Sequence, residues 1–142
     1  MATARWRGRS GILLLIGSGA CMGAMLAGAD ADRLRTGTWG GEHVALTVTA
    51  AGAHVEFDCA SGDISQPLTV DPDNRLAVEG VFVQEHGGPV RLGEEPERIP
   101  ARYSGRLNGQ TLTFDVTLIE SNETVGTFTV VHGATPRVRK CR

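Results

Sequence analysis

The chain has 142 residues, 41% of them hydrophobic and only 5% aromatic, with a formal charge of −2. That length suits one domain with a single core and excludes two full-sized ones. The charge balance excludes a broad basic surface for nucleic acid.

The first 29 residues differ from the rest. Arg5, Arg7 and Arg9 make a basic start, and no charged residue follows until Asp30. The run contains GILLLIG and ends on Ala27-Gly28-Ala29, the small-x-small pattern of a secretory cleavage site. Residues 1–29 are therefore expected to be a signal peptide, with 30–142 forming the mature domain. Two other readings of the same segment compete with it. Gly19-Ala20-Cys21 matches a bacterial lipoprotein box with Cys21 as the lipidated residue, and the uncharged stretch is long enough for an uncleaved anchor. All three readings export the protein, to the periplasm or the extracellular space. The membrane is then touched only through the leader or a lipid on Cys21. The 16 acidic residues all lie at or after Asp30, so the mature chain carries a net charge of −5.

Past the leader, period-two alternation dominates and helical periodicity is absent. EHVALTVTA places Val44, Leu46 and Val48 on one face, and AHVEFDC places Ala53, Val55, Phe57 and Cys59 on one face. Ala51-Gly52 joins them as a hairpin. DISQPLTV, residues 63–70, is a poorer strand in which Pro67 marks an edge or a bulge. Asp71 to Asn74 is turn chemistry. RLAVEGVFVQEH, residues 75–86, follows as a long strand with Gly80 as a bend. A Gly-rich loop over 87–100 leads to ARYSGRL, and Asn108-Gly109 turns directly into QTLTFDVTLI, a strong hairpin signal. Glu120 to Glu123 is the next turn, before VGTFTVVH, and RVRKC, residues 137–141, is read as the last short strand.

Eight such strands predict an all-β fold, an antiparallel up-and-down barrel, with a β-sandwich as the competitor. Closure is favoured because it leaves no exposed edge strand. The inward phase lists Val44, Leu46, Val48, Val55, Phe57, Val78, Phe82, Tyr103, Leu107, Leu112, Phe114, Val116, Leu118, Phe128 and Val130. An eight-stranded barrel is just wide enough for such side chains to fill it or for one small ligand. A packed interior is the expectation. With Cys21 removed or lipidated, Cys59 and Cys141 remain, and two cysteines in an exported chain most simply form a disulfide.

Gly37-Thr38-Trp39 followed by a strand resembles the first-strand motif of the calycins, the lipocalin and avidin-like barrels. That resemblance implies that Trp39 closes one barrel end beneath a basic residue of the last strand, Arg137 or Arg139. TWGGEH, EFDCASG, EHGGP, ARYSG and the terminal KC also resemble a group of small exported bacterial proteins of unknown function. That second likeness implies fold and compartment and supplies no activity.

Candidate functional residues are few. The loop Gly87 to Pro100 is the longest irregular connection, and loops of that length in compact domains are usually functional or disordered. Trp39, His43, His86, Gly87, Gly88, Pro89, Arg91 and Tyr103 are the candidate contact residues of the barrel rim and this loop. His43 and His86 each follow a glutamate near a strand end, so they are candidates to meet at one mouth. No histidine pair has metal-ligand spacing, and no cofactor fingerprint is present. Ser104-Gly105 lacks a nucleophile-elbow context, and Glu94 and Glu95 sit in an irregular loop, so no enzyme is predicted. The expectation is a binding protein for a small ligand, an envelope component or another protein. An inhibitor of a secreted hydrolase and a purely structural envelope protein are the alternatives.

Overall fold

The computed structural model describes residues 32–89 and 91–141. The leader, with its expected cleavage after Ala29 and the candidate lipidation at Cys21, lies outside the described residues. Ten strands follow one another: β1 (Asp32–Arg33), β2 (Gly37–Gly41), β3 (Val44–Val48), β4 (Ala53–Phe57), β5 (Ala60–Ile64), β6 (Thr69–Val70), β7 (Arg75–Gln84), β8 (Ile99–Asn108), β9 (Thr111–Leu118) and β10 (Thr124–His132). Eight of them close into an antiparallel up-and-down barrel, β2-β3-β4-β5-β7-β8-β9-β10, sealed where β10 pairs back onto β2. The extra strands β1 and β6 pair with each other and join the sheet at the start of β7.

The barrel has the expected strand number, but its membership differs at both ends of the chain. Gly37–Gly41 is a full strand, paired residue for residue with β3. Its glycine content hid it, because alternation of apolar and polar side chains cannot be read from GTWGG. The chain reverses at His43, which takes a left-handed φ of 65°. The expected strand over 63–70 is two pieces. The chain turns at Cys59 (φ 54°), returns as β5, crosses at residues 65–68 where Pro67 sits, and makes the short β6. RVRKC is not a barrel strand. It contributes a single parallel bridge, Arg137 to Glu42, and the position it was expected to fill is taken by β2.

The C-terminal segment runs back along the outer face of β2. Gly133 donates its N–H to the Thr38 carbonyl, Arg137 donates to Gly41, and His43 donates to Arg137. Gly40 is what lets this strap lie flat. A Cβ there would stand 2.2 Å from the Ala134 carbonyl oxygen and 2.6 Å from the Pro136 nitrogen, a clash that any larger residue would have to relieve by lifting the strap. Cys141 then meets Cys59 with a Cα separation of 4.9 Å, closing the expected disulfide. The bond joins the end of the chain to the β4–β5 turn.

Of the fifteen residues assigned to the inward phase, twelve are buried, and Leu107, Leu118 and Phe128 pack against them half-buried. The interior is occupied by large side chains. Trp39 and Tyr103 are each 1% exposed, with Leu46, Leu112, Val44, Val55, Val116 and Val130 packed to a similar degree. Towards the opposite end Phe57 lies 4.7 Å from Phe128 and 5.8 Å from Phe82, centroid to centroid, in tilted contacts. No polar or charged side chain among the described residues is buried without a hydrogen-bond partner.

Candidate functional site

The two ends of the barrel are built differently. At the end where β2 begins, Trp39 lies across the interior and its indole N–H donates to the Arg35 carbonyl at 2.9 Å. The His132 ring packs against it in a T-shaped contact, with centroids 5.0 Å apart at 72°, and a His132 ring nitrogen reaches the Thr36 carbonyl. Leu34 and Leu68, linked by a backbone bond, are both buried and complete the seal. The basic residue expected over the indole is replaced by this histidine. Arg137 is exposed and pairs with Glu42 at 3.2 Å, and Arg139 sends its backbone N–H to Asp58. The strap carries both arginines along the outer wall, which takes them away from the barrel axis.

Tyr103 also belongs to the core. Its hydroxyl donates to the Val81 carbonyl at 2.7 Å, and its ring is accommodated where Gly62 and Gly80 face inward. A Cβ on Gly62 would stand 2.0 Å from that hydroxyl oxygen. Burial pushes the phenol far above its ordinary range, with a small further contribution from Asp63. Trp39 and Tyr103 are thus structural residues, and neither offers a surface to a ligand at the rim.

The remaining candidates gather at the other end. His43 lies in the β2–β3 turn and its Nδ1 meets Asp58 of the β4–β5 turn. His86, Gly87 and Gly88 open the long loop and line a groove of about 860 Å³ with Glu94, Glu95 and Glu97. His43 and His86 share this rim without sharing a partner: His43 is bonded to Asp58, which also accepts the Arg139 N–H of the strap, and Glu85 beside His86 is taken by Lys140 at 3.4 Å. Glu42 is taken by Arg137. Among the described residues no group of three His, Cys, Asp or Glu side chains has the spacing to hold a metal ion. Pro89 and Arg91 are exposed on the loop, where Glu94 donates its N–H to the Arg91 carbonyl and closes a tight turn. Leu92 stands on that turn, fully exposed. Sequence patterning did not select Leu92, since a lone leucine in an irregular loop carries no period. The remaining histidine, His54, sits on the outer wall between carboxylates, Asp63 at 2.7 Å and Glu56 at 3.7 Å.

Asp58 is the electrostatic fastening of the strap. It accepts the Arg139 N–H at 2.6 Å as well as the His43 ring. The Arg139 amide first, and the His43 side chain second, hold its carboxyl below the ordinary value of 3.8. A carboxyl depressed in the folded state stabilises the fold above its unfolded value and loses that contribution as pH falls through the folded one. Asp58→Asn should therefore melt below the wild type near neutral pH, and the gap should begin to narrow only as the pH falls below 3.8, closing once it passes the lower folded-state value. Melting curves of both proteins over an acid series check this. A gap that persists unchanged into strong acid would contradict it.

Comparison with protein-family models, with curated proteins and with solved structures finds no match to this chain.

Proposed function

We propose that this exported chain is a non-enzymatic binding protein that contacts another protein through the rim carrying the loop between β7 and β8. The observation that carries the reading is the contrast between the two parts of the molecule. The barrel interior is taken up by its own side chains, with Trp39 and Tyr103 almost wholly buried, while the loop presents Leu92 fully exposed on a closed turn. A single exposed leucine is ordinary on a protein surface; what supports the reading is that this one stands at the tip of a closed turn, where it is placed to serve as the anchor of a contact. The histidine–carboxylate contacts stand on turns and the outer wall, with side chains about half exposed. That setting favours solvated ion pairs over tuned acid–base chemistry.

A second reading, inhibition of a secreted hydrolase, is favoured by the same turn. A residue presented on a hydrogen-bonded turn of a disulfide-braced barrel loses less entropy when it docks than one on an open chain. A panel of secreted hydrolases assayed with and without the protein tests it. Leu92→Ala should weaken inhibition of any responsive enzyme by roughly tenfold or more, as truncation of an interface anchor does. Titration with a fluorescent fatty acid separates the protein-binding reading from a small-ligand one. Saturable uptake that is unchanged by Leu92→Ala would overturn the proposal, because it would place an apolar ligand in the barrel.

A further inference from the structure

A different surface, near the Trp39-sealed end, has the chemistry of an anion site. On the outer face of the β7–β8 pair, Arg75 stands directly opposite Arg106. The Leu107 N–H donates to the Asn74 carbonyl, so residues 74 and 107 form a hydrogen-bonded pair. Arg75 and Arg106, one step along, then form a non-hydrogen-bonded pair, the kind in which side chains stand closest. Like charges directly opposite each other destabilise a sheet. Four residues along the same face the same strands do the opposite: Arg102 faces Glu79 and pairs with it at 3.5 Å. Among the described residues neither Arg75 nor Arg106 forms a salt bridge, and both are exposed.

The two guanidinium groups line a groove of about 810 Å³ that also includes Ser104, Thr113, Asp115 and Thr127. The pairing registers align these side chains into rows. Arg75, Arg106, Thr113 and Thr129 form one, and Ala77, Ser104, Asp115 and Thr127 form the next. Each row crosses four strands, roughly 14 Å at the usual strand spacing of about 4.8 Å. The two carboxylates in the groove are already engaged. Asp71 accepts the Asp73 and Arg75 N–H groups, and Asp115 accepts the Thr127 hydroxyl. Neither of these contacts neutralises a guanidinium.

We propose that this groove binds an acidic sugar, its phosphate or carboxylate held by Arg75 and Arg106 and its hydroxyls by the Ser104–Asp115–Thr127 row. Arginine forks match either anion in bidentate geometry. Hydroxyls and a carboxylate beside them suit a ligand rich in hydroxyl donors and acceptors. The site lies on the wall of the barrel, away from the loop that carries Leu92, and does not depend on the role of that loop.

The test is an amide-shift titration of the full folded domain with glucose 6-phosphate, glucuronate, orthophosphate and glucose. Saturable shifts confined to residues around Arg75, Ser104, Arg106 and Thr113 are expected with the two acidic sugars, and which of them binds more tightly identifies the anion. Weaker shifts are expected with orthophosphate, and none with glucose. Arg75→Gln or Arg106→Gln should each weaken acidic-sugar binding by roughly tenfold, the effect of losing one charge-assisted contact. Arg75→Glu separates a binding role from a structural one. It should raise the melting temperature by relieving the like-charge pair, and it should abolish binding. No saturable response to either acidic sugar, or affinity retained in Arg75→Glu, overturns the proposal. Orthophosphate binding as tightly as the sugars overturns the part played by the hydroxyl row.

Discussion

Trp39→Ala should lower the free energy of unfolding by about 3–5 kcal/mol, the range for truncating a large buried aromatic. The indole is 1% exposed, and three separate segments converge on it. Its N–H is bonded to the Arg35 carbonyl, His132 packs against it in a T-shaped contact, and Leu34 and Leu68 complete the same end. Removing it leaves an unpaired Arg35 carbonyl and a cavity that the closed sheet cannot collapse to fill. Chemical denaturation measures the loss directly. Emission from a Trp6→Phe background, where Trp39 is the sole tryptophan, supplies an independent readout. It should be blue-shifted and resist aqueous quenchers, whether or not any partner is present. Red-shifted, freely quenched emission from the native protein would show that this end is open.

The second large effect belongs to the Cys59–Cys141 bond. Replacing both cysteines with alanine should cost roughly 2–5 kcal/mol, as for native disulfides of small exported domains. The bond spans a sequence separation of 82 residues, so its main action is to limit the unfolded chain. The denaturant dependence should steepen in the double variant, because an uncrosslinked chain exposes more surface. The folded strap should survive at low denaturant. It keeps the backbone bonds of Gly133, Arg137 and Arg139, and Gly40 still leaves room for it. Hydrogen exchange at Arg137 separates local release of the strap from global unfolding. Finding two reactive thiols in the denatured, unreduced protein would refute the bond itself.

The barrel was legible in this sequence because alternation reports which side of a strand meets water. From Val44 to Phe57 and from Arg75 to Val130, apolar side chains or glycines recur at every second position of the strands, and the apolar ones there are buried or half-buried. Turn chemistry was equally local. Gly109 (φ 62°), Asn74 (φ 59°) and Asn122 (φ 56°) all adopt the left-handed backbone at turns the sequence marked. The pairing of Cys59 with Cys141 followed from counting the cysteines that remain if the leader is an export signal.

Other features depended on distant contacts, and so no local pattern could carry them. β2 is a strand because β3 and β10 supply its hydrogen bonds from both sides. RVRKC, which alternates well enough to pass for a strand, lies outside the ladder because β2 already occupies the place beside β10. By itself Gly80 reads as a bend, and neither Gly40 nor Gly62 carries a period. In the fold they are sites of close approach, by the strap and by the Tyr103 ring. The surface candidates were decided the same way. Trp39 and Tyr103, which the sequence offered both as rim contacts and as an end plug and an inward-facing residue, are placed in the core, while Leu92 and the Arg75–Arg106 pair emerged only when the chain was folded. Alternation along one strand says which face a residue takes. Only the register between strands says which residue stands opposite, and it is that neighbour which makes an arginine a salt bridge at Arg102 and an anion site at Arg106.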